Sequence, residues 1–385
     1  MSYKILIVDD EPDLELLIRQ KFRRHIREGK FEFSFAGNGQ EALDKLDRDK
    51  EIDLVLSDIN MPVMDGLTLL ARLDGIERLL KAVIVSAYGD LQNIRTAMNR
   101  GAFDFVTKPI DFEDLEITIN KTIQTISHLK QAEREREQLI SLQQELTVAA
   151  RIQLSILPRS FPPFPERKDF EIFAEILPAK EVGGDFYDFF LIDNDHLGIV
   201  IGDVSGKGVP AAILMAVSRT LLHATALKKL SPSDCLGYVN GILVAQSDPS
   251  MFVTVFYGIL NTRTGELEYG IGGHNPPYVF SDGNVRALEV PPGRILGVVA
   301  NSNYQTQRAQ LKPGDAVLLY TDGVTEAIGA SEGFFSEERL EDWFQRSGNL
   351  PVEGVVSGLV AEVQAFAAGR QQADDVTVLA IRYLG

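Results

Sequence analysis

The feature of this chain that most restricts its fold is a recurring unit, a short apolar run that stops at a charged residue. Lys4-Ile5-Leu6-Ile7-Val8 runs into Asp9-Asp10-Glu11, Leu54-Val55-Leu56-Ser57 runs into Asp58, and a third run ends at Thr107-Lys108-Pro109. Further on, Gly183-Gly184-Asp185, Gly202-Asp203-Val204-Ser205-Gly206, Tyr320-Thr321-Asp322-Gly323 and Asp374-Asp375-Val376-Thr377 set aspartates among glycines. Short apolar runs bounded by turn residues read as buried strands, and side chains just past strand ends gather in one crevice. The first set describes a phosphate-accepting pocket and the second a metal cluster.

Up to about residue 122, apolar runs at 4–8, 53–57, 82–86 and 103–106 alternate with helical patterns such as Leu14, Leu17, Ile18, Lys21 and Phe22. That rhythm predicts an α/β, doubly wound parallel sheet with helices on both faces. Asp9, Asp10, Asp58, Ser86 and Lys108 all fall at the carboxyl ends of the predicted strands. From Glu113 to Leu157 no Gly or Pro interrupts, which predicts one long helix. Leu115, Ile119, Thr122, Ile126 and Leu129 form one seam, and Leu139, Leu142, Leu146, Ala149 and Gln153 form another, one residue out of register beyond the charged Glu133–Arg136 stretch. Such seams predict a coiled-coil linker and a homodimer formed through it. The alternative is an amphipathic helix docked on a neighbouring domain.

After Pro158-Arg159-Ser160-Phe161-Pro162-Pro163, strands are predicted at 170–177, 186–192, 196–202, 252–260, 266–271, 277–280, 316–320 and 376–383. Helices are predicted at 209–228, 232–247, 337–346 and 352–368. Strands grouped with segregated helices predict an α+β domain of two packed β-sheets flanked by helices. The expected organisation is multidomain: 1–122, a helical linker 123–157, and 158–385. A net charge of −17 over 385 residues argues against nucleic-acid binding, which relies on Lys and Arg excess. A single cysteine, Cys235, a polar start and no apolar run near the roughly 20 residues that span a bilayer predict a cytoplasmic protein without membrane contact.

Residues 1–122 resemble a response-regulator receiver domain, which is flavodoxin-like. The likeness rests on Asp9/Asp10, on Asp58 followed by Met61-Pro62-Val63-Met64-Asp65-Gly66, on Ser86-Ala87 and on Thr107-Lys108-Pro109. It implies that Asp58 is the phosphoacceptor, with Mg²⁺ held by Asp9, Asp10, Asp58 and a backbone carbonyl near Asn60. Hard oxygen ligands of this kind suit that ion. The resemblance further implies Lys108 and Ser86 on the phosphoryl oxygens, Phe105 as the aromatic that reports occupancy, and a cognate histidine kinase or phosphotransfer protein as partner.

Residues 166–385 resemble a SpoIIE-type serine/threonine phosphatase of the PPM superfamily. The matching motifs are Gly-Gly-Asp-Phe-Tyr-Asp (183–188), Gly-Asp-Val-Ser-Gly-Lys-Gly (202–208), Gly-His-Asn-Pro-Pro (273–277), Tyr-Thr-Asp-Gly-Val-Thr-Glu (320–326) and Asp-Asp-Val-Thr-Val-Leu (374–379). The resemblance implies two Mg²⁺ or Mn²⁺ ions: Asp203 bridges them, Asp322 and Asp374 complete one, and Asp185 with the Val204 carbonyl serves the other. Val204 departs from the Gly that broader relatives carry there. Asp375 and His274 are expected in structural roles, Asp188 in either role, Lys207 in a turn that starts a helix, and Lys180 on the surface. The implied function is dephosphorylation of phosphoserine or phosphothreonine on a protein, a STAS-domain anti-sigma-factor antagonist, under control of the receiver. The alternative is a catalytically weak phosphatase-fold adaptor that binds a partner according to receiver phosphorylation.

Overall fold

The computed structural model describes residues 2–385 except 247, 249, 330–332 and 371. It divides into two compact units, Met1–Leu142 and Gln143–Gly385.

In the first unit, β1 (Tyr3–Val8), α1 (Pro12–Lys21), α2 (Arg23–Arg27), β2 (Phe31–Ala36), α3 (Gly39–Arg48), β3 (Ile52–Asp58), α4 (Gly66–Leu73), β4 (Lys81–Ala87), α5 (Leu91–Asn99) and β5 (Asp104–Lys108) lead into α6 (Phe112–Ile156). The five strands are parallel in the order β2-β1-β3-β4-β5, the flavodoxin-like winding whose ligand crevice lies outside the strand carboxyl ends. Every residue of β3 is buried, which is why its sequence reads as a continuous apolar run up to Asp58. Strand β2 was missing from the sequence reading. Its Phe31 and Phe33 face the core while Glu32 faces solvent, so it alternates instead of running apolar.

Helix α6 is continuous for 45 residues. Leu115, Ile119, Ile123 and Ile126 are buried in the core of the first unit, so the first seam packs against that unit's own sheet. A helix facing a sheet and one facing another helix show nearly the same apolar period, and sequence does not separate them. Lys130 pairs with the buried Asp53 at 2.5 Å. Beyond it, Leu139 and Leu142 are 67% and 53% exposed.

The second unit comprises β6 (Phe170–Leu177), β7 (Phe186–Leu191), β8 (His196–Val204), α7 (Val209–Ala226), α8 (Pro232–Gln246), β9 (Val253–Asn261), β10 (Glu266–Gly272), β11 (Tyr278–Ser281), β12 (Asn284–Ala287), β13 (Gln307–Gln310), β14 (Ala316–Tyr320), α9 (Asp322–Thr325), α10 (Ser336–Ser347), α11 (Val352–Ala367) and β15 (Val376–Tyr383). Two antiparallel sheets form, ordered β13-β10-β9-β8-β7 and β12-β11-β14-β15-β6. Alternation along β15 shows the layering. Leu379 and Ile381 join the core shared with β7–β10, whereas Val378 and Ala380 join a second core with α10 and α11. The predicted strands and helices appear with ends shifted by a few residues, and the expected helix end at 247 lies outside the described residues. The polar, partly exposed β12 and β13 were missed because they carry no apolar period.

One correction concerns α7. Among the described residues it is the one helix long and apolar enough to cross a bilayer, at mean hydropathy 1.3, although none was expected. Its Ala211, Leu214, Met215 and Leu222 are buried in the core of the second unit.

Candidate active site and phosphoacceptor pocket

In the first unit, β1, β3 and β5 end together and deliver Asp9, Asp10, Asp58 and Lys108 to one crevice. Carboxylate oxygens of Asp9, Asp10 and Asp58 all lie within 4.8 Å of one another. The Lys108 ammonium sits 2.8 Å from Asp58 Oδ2, 2.9 Å from Glu11 Oε1 and 3.1 Å from Asp9 Oδ2. Burial works against that charge, but the bonds to Asp58, Glu11 and Asp9 outweigh it and hold its pKa above the usual lysine value. Burial likewise pushes the Asp9 carboxyl up, partly offset by the Glu11 N–H and by Lys108.

Two features fit a phosphoryl group and its cation. Three carboxylates converge on the crevice, a donor set that suits Mg²⁺. Ser86 is buried at the end of β4, and its Oγ has no hydrogen-bond partner. A buried hydroxyl without a partner calls for one, and an incoming phosphoryl oxygen would supply it. Gly66 is required because a Cβ there would lie 2.1 Å from the Asp58 carbonyl oxygen. Asn60 is exposed just beyond Asp58, and Phe105 is 39% exposed on β5. The contact of Glu11 with Lys108 was not anticipated.

In the second unit, four motifs separated by up to 189 positions (Asp374 against Asp185) come close enough for their charges to interact. Asp185 precedes β7, Asp203 lies near the end of β8, Asp322 opens α9 directly after β14, and Asp374 precedes β15. Asp185 is buried, and its Oδ2 accepts hydrogen bonds from Thr321 Oγ1 at 2.7 Å and Thr377 Oγ1 at 2.6 Å. Burial, then the charges of Asp203 and Asp375, hold its carboxyl well above the ordinary range. Burial, then Asp322 and Asp374, push Asp203 up to about 7. Asp322 is raised by burial, Glu326 and Asp374. Among the described residues, the one ion pair to these four aspartates is Lys207 Nζ to Asp374 Oδ2 at 2.9 Å. A cluster of carboxylates so sparsely neutralised fits hard divalent cations, which take oxygen ligands and keep several waters.

The glycines of the motifs mark close approaches. A Cβ on Gly183 would lie 2.2 Å from Asp375 Oδ2, one on Gly184 2.6 Å from the Val204 carbonyl, and one on Gly323 1.9 Å from the Asp375 carbonyl. The Asp375 carboxylate accepts the N–H groups of Ala179 and Gly184, both at 2.7 Å, and so fixes the loop carrying Asp185. The Val204 side chain is buried, and its carbonyl oxygen lies close to Gly184.

The other expectations divide as follows. Asp188 is buried against Arg219 Nε at 2.8 Å and His223 Nδ1 at 2.7 Å, a structural role. His274 bonds Thr254 Oγ1 at 2.9 Å, and burial lowers its pKa to about 4. Lys180 is exposed. Lys207 does precede α7, as expected of a turn, but its contact with Asp374 was missed, as were the roles of Thr321 and Thr377. In the sequence Thr321 adjoins Asp322, whereas Thr377 stands two residues after Asp375.

A receiver crevice on one compact unit and an aspartate cluster on a layered antiparallel sandwich define a response regulator with a phosphatase-fold output. The response regulator receiver domain model matches residues 5–120, and the model described as Stage II sporulation protein E (SpoIIE) matches residues 193–384. The chain belongs to these families: an N-terminal receiver domain, a long helical linker and a C-terminal SpoIIE-type PPM domain.

Three relatives cover different portions. Protein IcfG of Synechocystis is 30% identical over 264 residues, 62% of this chain, and the chain spans 41% of that protein's length. Phosphoserine phosphatase RsbU of Bacillus subtilis is 29% identical over 280 residues, 70% of this chain and 80% of RsbU. Sporulation initiation phosphotransferase F of Bacillus subtilis is 36% identical over 121 residues, 31% of this chain and 94% of that protein. In structure, the SiaA-PP2C domain of Pseudomonas aeruginosa superposes at a TM-score of 0.56 with 24% identity, over 64% of this chain and 98% of that domain, and shares the fold.

Proposed function

We propose that this chain is a metal-dependent protein serine/threonine phosphatase controlled by phosphorylation of Asp58. The observation that carries the reading is the convergence of Asp185, Asp203, Asp322 and Asp374, with burial and mutual repulsion raising three of them. In this reading Asp185, Asp203, Asp322, Asp374 and the Val204 carbonyl would hold two Mg²⁺ or Mn²⁺ ions. Bound there, the ions would supply Lewis-acid activation of water and of the phosphoryl oxygens. Thr321 and Thr377 orient Asp185, Asp375 holds its loop, and Lys207 adds a positive charge beside the phosphoryl group. Loss of catalysis, as an adaptor role requires, fits poorly with a complete set of carboxylates.

In the receiver, an Asp58 oxygen takes the phosphoryl group from a histidine kinase or phosphotransfer protein. Lys108 would neutralise it, Ser86 would donate a hydrogen bond to it, and Asp9, Asp10, Asp58 and the Asn60 carbonyl region would hold Mg²⁺. The substrate we infer is a phosphorylated STAS-domain protein, supported by the kinship with SpoIIE and RsbU. A homodimer through the linker is supported by the exposure of Leu139 and Leu142. The test is hydrolysis of p-nitrophenyl phosphate and of a phosphoserine protein with Mn²⁺ present, with the receiver phosphorylated or not. Turnover that needs the metal and changes with receiver state is expected; no turnover in either state sinks the reading.

A further inference from the structure

Beside the aspartate cluster lies a cavity of about 420 Å³ with two unlike walls. Lys207 and Asp374, which also belong to the cluster, line its polar side together with Glu326, Gln364, Arg370 and Gln372. Ile328, Phe334, Val363 and Ala367 form much of the apolar one. Ile328 and Phe334 are paired across an antiparallel bridge, so their side chains project to the same face, and they are 37% and 62% exposed. Val363 is buried within α11, and Ala367 ends that helix, so this wall is anchored to the helix layer.

A phosphate group alone does not account for this shape. The phosphoryl oxygens need the cations and Lys207, whereas an exposed apolar rim joined to them has nothing to offer an anion. Exposed apolar surface rimmed by polar groups marks a binding groove, and the volume lies within the roughly 300–1,000 Å³ of ligand sites. Because Asp374 lines both the cluster and the cavity, the cavity adjoins the place where a phosphate group would sit.

We propose that this cavity is a specificity subsite. It receives an aliphatic side chain, of leucine size, that flanks the phosphoserine in the substrate, while Lys207 holds the phosphoryl oxygens at its mouth. The proposal rests on the phosphatase reading above and adds to it Ile328, Phe334 and Ala367 as residues that select the substrate. Binding an aliphatic side chain there lowers KM more than it raises kcat, since the side chain is remote from the bond being broken.

The test uses the full chain with Mn²⁺ and five phosphoserine peptides. Four carry a single leucine at position −2, −1, +1 or +2 in a Gly/Ser/Asn background, and the fifth carries none. One leucine peptide should exceed the leucine-free peptide in kcat/KM by roughly tenfold, mostly through KM. Ala367→Trp, which fills the cavity, and Ile328→Asp, which charges its rim, should each abolish that preference. Both should leave p-nitrophenyl phosphate turnover within twofold of wild type, which also reports that they fold. Equal kcat/KM for all five peptides in an enzyme that turns over p-nitrophenyl phosphate overturns the subsite alone, as does a preference that survives both substitutions. Failure to hydrolyse p-nitrophenyl phosphate overturns the phosphatase reading and the subsite with it.

Discussion

In the receiver crevice one lysine touches three carboxylates; in the phosphatase cluster one lysine touches one of four. Lys108 lies within 3.1 Å of Asp9, Glu11 and Asp58, so the protein itself supplies part of the positive charge that balances the crevice. Lys207 stands at the edge of its cluster, and burial raises Asp185, Asp203 and Asp322 together. On the proposed function, the difference follows from the tasks. A crevice that accepts a phosphoryl group and later releases it needs a permanent counter-charge. A cluster that gathers divalent cations, as proposed, would leave its carboxylates without fixed positive partners.

Four measurements would break or sharpen this contrast. The largest effect is expected for Asp58→Ala, which removes the acceptor: incubation with acetyl phosphate and Mg²⁺ should add one phosphoryl mass to wild type and none to the variant, by intact mass spectrometry. An equal gain in both would place the acceptor elsewhere. Next, Asp203→Ala should lower Mn²⁺-dependent p-nitrophenyl phosphate turnover by more than about 100-fold, exceeding the roughly 10–100-fold that loss of an outer partner costs. Its circular dichroism should stay unchanged, because the carboxylate is not part of either apolar core. Undiminished turnover would remove Asp203 from the metal set.

Asp375→Asn should be milder. It disturbs the acceptor of the Ala179 and Gly184 N–H groups and should weaken Mn²⁺ affinity by about 10–100-fold, read from the activation curve. An unchanged curve would show that the loop holds Asp185 without it.

The smallest effect concerns stability in EDTA. Asp185, Asp203 and Asp322 have folded pKa values above their unfolded ones, so the folded state binds more protons than the unfolded state over that interval. Their contribution is therefore fully present at acid pH and is lost as pH rises from about 4 towards 7, the value for Asp203. The phosphatase transition should move down over that range. Adding Mn²⁺ at 100 times its Kd should restore about 2.7 kcal/mol, some 5–10 °C for a unit of this size. A phosphatase transition that moves no more than the receiver transition would erase the distinction between the two pockets.

Most of this architecture was legible because strand ends and aspartates coincide. The parallel winding of the receiver and the positions of Asp58 and Lys108 follow from apolar runs that are buried on both faces. What was not legible has physical reasons. β2, β12 and β13 are exposed on one side or short, so no apolar run announces them. The seam from Leu115 to Ile126 has a helical period whether its partner is a sheet or another helix, and only the fold shows that it faces a sheet. Thr321 and Thr377 are 56 positions apart, and nothing local says that both hydroxyls meet one carboxylate oxygen.

That threonine pair has a further consequence. Each hydroxyl has a single hydrogen, and both point at Asp185 Oδ2, which leaves the other oxygen for any added proton. On the proposed function a metal ion would take that same oxygen. Proton and ion thus contend for one atom, and ligating carboxylates must give up their protons as metal enters. Loading the site should acidify an unbuffered solution, and calorimetric heats of loading should scale with the ionisation enthalpy of the buffer. On the proposed function, a fall in pH would weaken metal binding here without any change in metal supply, and turnover would respond to acidity as well as to phosphorylation.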